Sequence, residues 1–214
     1  MNIRIRQGRP ADLGTICRLR LQRASWLAAR GSDQWTRQAG GLSIEVFAAA
    51  VGHSLRRGES WIAEAGGEPV GTVTVNDRAD AGLWSPAELA EAVVVHYMIV
   101  DLRCAGRAVG ANLLAHAAAL ARARHRTWVR LDAWTANTAL HDYYRRAGFR
   151  LVRIAASAMP GPTESAALVP SAALFERRAD AWARTTEPPR IPQRILITTR
   201  DAGLTVSCVS SRTE

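Results

Sequence analysis

Ile3 and Ile5 alternate with Arg4 and Arg6, a two-residue period that predicts a half-buried strand. The period then lengthens. Pro10 suits the first turn of a helix and Gly31 is a natural stop for it. A loop, Gly31–Trp35, follows. Ser43 stands in an N-cap position ahead of Ile44, Phe47, Val51 and Leu55, which keep helical spacing. Two β-rich runs joined through Gly66 and Gly67 predict a hairpin. Ser85 and Pro86 open a short helix, and Val93 to Val100 reads as a strong strand.

The second half repeats the alternation of periods. Leu113, Leu114, Ala117, Leu120 and Ala121 form one helical stripe. Thr127 to Trp134 alternates as a strand. Asn137 caps a further helix whose inner face is Leu140, Tyr143, Tyr144 and Ala147, with Gly148 as its stop. Residues 149–154 and 172–178 read as two more strands, separated by a long loop containing Pro160, Pro162 and Pro170. Helices and strands are interleaved around a strand–helix–strand core, so the class is α/β or α+β. A Pro-rich boundary falls near residue 187. Beyond it, residues 195–199 and 204–210 pair as a late hairpin or trail as a disordered tail.

The 214 residues, 48% of them hydrophobic, suffice for one well-filled core, or a core plus a tail. Cys17, Cys104 and Cys208 are too few and too scattered for a disulfide framework or a zinc site, so no metal is expected. The charged N-terminus does not read as a signal peptide, and the apolar run at 92–100 is too short to span a bilayer. A cytoplasmic location without membrane contact is the expectation. Every residue of the +9 excess is contributed by Arg, since the chain holds no Lys. Residues 1–102 carry 11 Arg against 11 acids, whereas residues 103–153 carry 10 Arg against Asp132 and Asp142 alone. A field confined to that segment either draws phosphates, on a nucleotide cofactor or an RNA, or is a solvated basic face.

The segment opens with a strand end, then Gly106 and Gly110, then a helix start, the order in which a chain builds an anion seat. A Walker-type loop needs Lys, and no Gly-x-Gly-x-x-Gly spacing occurs. The residues instead resemble the GNAT superfamily of N-acyltransferases in two separated blocks. The first is "YMIVDLRCAGRAVGANLL". The family's Gln/Arg-x-x-Gly-x-Gly/Ala begins five residues after the strand's terminal Val, which from Val100 gives Ala105, Gly106, Arg107, Ala108, Val109 and Gly110. Ala105 and Ala108 depart from the family's Gln/Arg and Gly. The second block is "NTALHDYYRRAGF", where Asn137, Tyr144, Gly148 and Phe149 match the family's spacings.

The resemblance implies a single domain over residues 1–180, with a central mixed, mostly antiparallel sheet flanked by helices. Residues 181–214 form a C-terminal extension. It implies acetyl-CoA as cosubstrate, its diphosphate on the 105–110 loop and its pantetheine arm along Met98, Ile99 and Val100, whose N–H groups also face the oxyanion. Tyr144 would be the general acid to the departing sulfur, and Asn137 would bond the pantetheine arm, cap its helix, or both. His96 is a candidate base, with Asp132 or a chain of waters as rivals. His53, His116, His125 and His141 read as surface residues. In the family's acceptor region, Asp33 is placed to pair with a cationic amine and Trp35 to wall the pocket. Asp77 and Asp80 are further candidates. The acceptor would be a small-molecule amine, and the C-terminal extension could serve a homodimer. Two other readings stay open: the same fold using an acyl group carried on RNA, such as an aminoacyl-tRNA, and a non-catalytic acyl-CoA sensor or nucleic-acid-binding module.

Overall fold

A computed structural model describes residues 1–36, 41–155 and 170–182. The expected elements are present: β1 (Ile3–Gln7), α1 (Leu13–Ala28), α2 (Ile44–Arg56), β2 (Ser60–Ala65), β3 (Glu68–Asn76), α3 (Pro86–Ala90), β4 (Ala92–Val100), α4 (Val109–Ala123), β5 (Trp128–Ala133), α5 (Thr138–Arg146), β6 (Arg150–Ile154) and β7 (Ala173–Arg178). The helix expected from Pro10 starts as a 3-10 turn, Pro10–Asp12, and becomes α-helical only at Leu13. Asp12 is held there by Arg6, which also pairs with Glu64 across the β1–β2 ladder. The proline-containing 155–171 loop lies largely outside the described residues, as does the chain beyond Trp182, including Cys208 and the late hairpin or tail.

The seven strands among the described residues join one sheet in the order β1-β2-β3-β4-β5-β7-β6. Every neighbouring pair is antiparallel except β4 and β5, which are parallel because α4 carries the chain back between them. This is the mostly antiparallel mixed sheet that was expected. β7 is inserted between β5 and β6, so the chain's sixth strand becomes the sheet's edge.

One face of the sheet is covered by α4 and α5, over a core that includes Val93, Val95, Leu113, Leu114, Leu131, Tyr144 and Phe175. The other is covered by α1 and α2, over Ile16, Leu19, Phe47, Val51, Leu55, Ile62 and Ile99. A smaller cluster of Leu83, Trp84, Ala172 and Leu174 closes the β7 end. Ala92 to Val95 are buried to within 4% on both faces, which explains their uninterrupted apolar run.

The arginines of residues 103–153 are mostly committed within the fold. Arg130 pairs with Glu176 at 2.8 Å, both buried, and stacks on Trp84. Arg150 reaches the same carboxylate. Arg153 pairs with Glu88, and Arg103 with Asp101. These acids lie outside the segment that was counted as basic, so part of its local excess is offset by acids brought near in the fold.

Candidate active site

β4 and β5 run together only over Ala92–Val95 and Trp128–Leu131. Beyond that point β5 stays with β7 while β4 stays with β3, so the sheet is split between them. Asp101 N–H donates to Val70 O at 2.9 Å. With Gly71 opposite Val100 and Thr72 opposite Ile99, antiparallel alternation turns the Ile99 N–H onto Thr72. Met98 and Val100 face the edge that β5 has left. The expectation that all three N–H groups line the split is therefore corrected: Ile99 contributes its buried side chain to the opposite core instead. Arg23, from α1, donates to Val100 O at 2.7 Å and closes one end of this edge.

The 105–110 loop leads directly from that edge into α4. Gly106 and Ala108 have φ of 76° and 60°, so the loop turns twice through the left-handed region. Ala108 is the N-cap, with no side-chain cap bond. Among the described residues, the first N–H of α4 with a backbone acceptor is that of Asn112, on Ala108 O at 3.0 Å. The N–H groups of Ala108, Val109, Gly110 and Ala111 are left as donors at the positive end of a 15-residue helix. Ala105, Gly106 and Arg107 are exposed around them, and the Val109 side chain is fully buried. A side chain at Gly110 would overlap the hydroxyl of Tyr143. The phenol roofing the helix start is thus Tyr143, whose burial pushes its pKa up to about 12.

Tyr144 lies deeper, 6% exposed, with its ring 5.7 Å from those of Phe149 and Phe175. Burial drives its hydroxyl well above the ordinary phenol range, with Tyr143 and Asp132 adding to the rise. Asn137 caps α5, accepting from Leu140 N–H at 2.9 Å, while its Nδ2 donates to Gln34 Oε1 at 2.6 Å. Both halves of this amide are therefore engaged by the protein.

On the α1–α2 face, a bulge in β4 against β3 and a φ of 49° at Tyr97 interrupt the alternation. Val95 and Met98 both pack with the α4-side core, and Tyr97 and Ile99 with the α1–α2 core. His96 Nε2 lies 2.8 Å from Arg78 O and 3.2 Å from Asn76 Oδ1. Both partners are acceptors, because Asn76 Oδ1 already receives Arg78 N–H. Nε2 therefore carries the proton and Nδ1 keeps the lone pair. Burial lowers the His96 pKa, so the ring is neutral at pH 7. Asp132, on the neighbouring β5, is pushed up to about 7 by burial and by the charge of Asp80. Tyr97 is raised by burial and by the charges of the same two carboxylates.

The remaining candidates divide. Trp35 is half-buried against the α1–α2 core, with φ of 72° and Arg20 stacked 3.8 Å from its ring centre. Asp33 is exposed, and it is its neighbour Gln34 that turns inward. His53 and His125 are exposed as expected, but His141 is buried, bonded to Trp134 O, and His116 packs 4.3 Å from the Trp61 ring. Arg20 and Tyr97 escaped the sequence reading. Arg20 had a legible signal, since it falls four residues after Ile16 on the inward face of α1. Among the described residues no group of three or more His, Cys, Asp or Glu could hold a metal, and no helix is long and apolar enough to cross a membrane.

Comparison with known proteins agrees with this geometry. The acetyltransferase (GNAT) domain family matches residues 56–151. A relative from Bacillus subtilis (strain 168), named uncharacterized N-acetyltransferase YesJ, is 29% identical over 149 residues, spanning 68% of this chain and 81% of its own. A GNAT-family acetyltransferase from Listeria monocytogenes has the same fold with a TM-score of 0.62 at 21% identity, covering 82% of this chain and 94% of its own. The PaiA N-acetyltransferase of Thermoplasma acidophilum, solved with coenzyme A, superposes with a TM-score of 0.55 at 17% identity over 83% and 99% of the two chains.

Proposed function

We propose that the chain is an acyltransferase of the GNAT superfamily, as its match to that domain family over residues 56–151 and its N-acetyltransferase relative support, and that it transfers an acetyl group from acetyl-CoA to the amine of a small molecule. The observation that carries the reading is the row of four unpaired N–H groups at the start of α4, set where β4 parts from β5. Backbone donors at a helix N-terminus suit a diphosphate, and they survive the replacement of Gly by Ala at position 108. Arg107 is exposed beside them and adds positive charge.

Acetyl-CoA would supply the acetyl group as a thioester, whose C–S bond breaks as the new C–N bond forms. The Met98 and Val100 backbone groups on the open edge of β4 hold the donor's arm as a strand would. An N–H on this edge also meets the negative charge that develops on the carbonyl oxygen. His96 takes the amine's proton on Nδ1, its other nitrogen being fixed by Arg78 and Asn76. Asp132 is the second group in this crevice that exchanges a proton near neutrality, and it draws the amine in. Tyr144, which keeps its proton across the working pH range, returns one to the sulfur. Asn137 acts by fixing the α5 start and the Gln34 loop.

Thiol release from acetyl-CoA with an amine panel, together with calorimetry of coenzyme A binding, tests the reading. Coenzyme A binding that is lost on introducing a side chain at Gly110 supports it, and a protein that does not bind coenzyme A overturns it. An RNA-borne donor is the less favoured reading, because Arg103, Arg130, Arg150 and Arg153, four of the arginines that suggested it, are paired with acids of the same chain.

A further inference from the structure

Arg20 is 6% exposed, on the inward face of α1. Its guanidinium carbon lies 3.8 Å from the centre of the Trp35 ring and 5.4 Å from that of Phe47. Nη2 makes one long bond, 3.4 Å, to Leu42 O. Among the described residues, no carboxylate lies within ion-pair distance of it. Burial lowers its pKa to about 10, so it stays charged at neutral pH. A planar fork of five donors, stacked on its faces and nearly unused at its edges, is an anion receptor held ready. A buried charge with no counter-ion is costly to keep, and a ligand that supplies the counter-ion removes that cost.

The surroundings define the ligand. Tyr97 is the polar group that acts electrostatically on Arg20, and Tyr97 in turn is acted on by Asp80 and Asp132. His96 lies beside it, the two rings 6.0 Å apart. Arg20, Tyr97, His96, Asp80 and Asp132 therefore share one electrostatic neighbourhood, in which Arg78 beside His96 is already paired with Glu59 and Asp77. A single guanidinium balances one negative charge, which suits a carboxylate and leaves a phosphate dianion half compensated.

Building on the N-acetyltransferase reading, we propose that the acceptor is an amine that also carries a carboxylate, with the carboxylate on the Arg20 fork and the amino group toward His96 and Asp132. The Trp35 indole then fixes the plane of the guanidinium, and Arg20 determines specificity.

The test compares the common amino acids with their C-terminal amides as acceptors, in thiol release from acetyl-CoA. The wild type is expected to prefer at least one acid to its amide by tenfold or more in kcat/KM, and that acid, unlike its amide, raises the melting temperature. Arg20→Met is expected to collapse the acid-to-amide ratio to about one with coenzyme A affinity unchanged by calorimetry. Arg20→Lys, which keeps the charge and loses the fork, falls between. Should Arg20→Met fail to fold, the wild-type ratio, the wild-type melting shift and the Lys variant decide the matter. A wild type that binds coenzyme A but uses acids and amides equally, or acetylates no acid, overturns the proposal and leaves the donor assignment standing. A wild type that does not bind coenzyme A removes both.

Discussion

The side-chain amide of Asn137 donates to Gln34 Oε1 at 2.6 Å, joining two residues 103 positions apart. Gln34 belongs to the loop after α1, on the proposed acceptor side, and Asn137 starts the helix that carries Tyr144. The bond ties the loop after α1 to the start of α5, which in the proposed reading are the acceptor and donor sides. Because the same Asn also caps α5, Asn137→Ala removes both a cap and the tie. The cap alone is worth about 1 kcal/mol, so the variant should melt lower by denaturant titration. Gln34→Ala, which spares the cap, should destabilise less while still raising the acceptor KM.

The identity of the base is readable from the acidic limb of kcat/KM. Burial holds His96 below its ordinary 6.5, so a rate governed by His96 reaches its plateau before pH 7. Asp132, raised to about 7, would set a limb centred there. We expect the lower limb, and its loss in His96→Gln.

Asp132 also makes a stability prediction. Its folded pKa lies above the unfolded value of 3.8, so between about pH 4 and 7 the folded state binds more protons than the unfolded one and stability falls as pH rises. Asp132→Asn should therefore raise the melting temperature at pH 8 and change it little at pH 4.

Tyr144→Phe keeps the ring that packs on Phe149 and Phe175 and removes only the hydroxyl proposed as the proton donor. The expected result is a fall in kcat of about a hundredfold or more, the scale of general acid catalysis, with coenzyme A affinity retained in calorimetry.

Ala108 occupies the left-handed region at φ 60°, where a Cβ costs about 1–2 kcal/mol. Ala108→Gly should recover part of that cost, less the added chain entropy of glycine, and should bind coenzyme A at least as well as the wild type. Gly110→Ala should do the opposite. The new methyl collides with the Tyr143 hydroxyl, and the displaced phenol weakens coenzyme A binding.

Glu176 serves Arg130 and Arg150 from the middle of the β5–β7 pairing. Glu176→Ala would strand the buried Arg130 charge, a loss of about 3–5 kcal/mol, measurable by urea unfolding.

Much of this arrangement was legible in the residues. β4, the glycine loop and α4 follow from a strand run, two glycines and a helical stripe, all local signals. Asn137 was legible as a helix cap and Tyr144 as part of the inner face of α5, but their site roles came only through the resemblance to the GNAT family. The bulge at Tyr97 was not legible, because one added residue leaves the apolar pattern of β4 intact while moving Tyr97 to another face. The insertion of β7 between β5 and β6 is a long-range choice that no local period encodes. Arg20 was not singled out by its sequence. Its place on the inward face of α1 was visible, but its lack of a carboxylate partner depends on α2 and the Trp35 loop closing around it. The partial offset of the basic segment was hidden for the same reason, since Glu88 and Glu176 meet its arginines only in three dimensions.

The parting of β4 from β5 after Val95 and Leu131 gives the molecule a sheet edge at its centre rather than at its rim. An unpaired edge invites any extended segment to dock, so a bound thioester arm would protect the protein from self-association as well as feed its chemistry. Starved of donor, the enzyme should be more prone to clump.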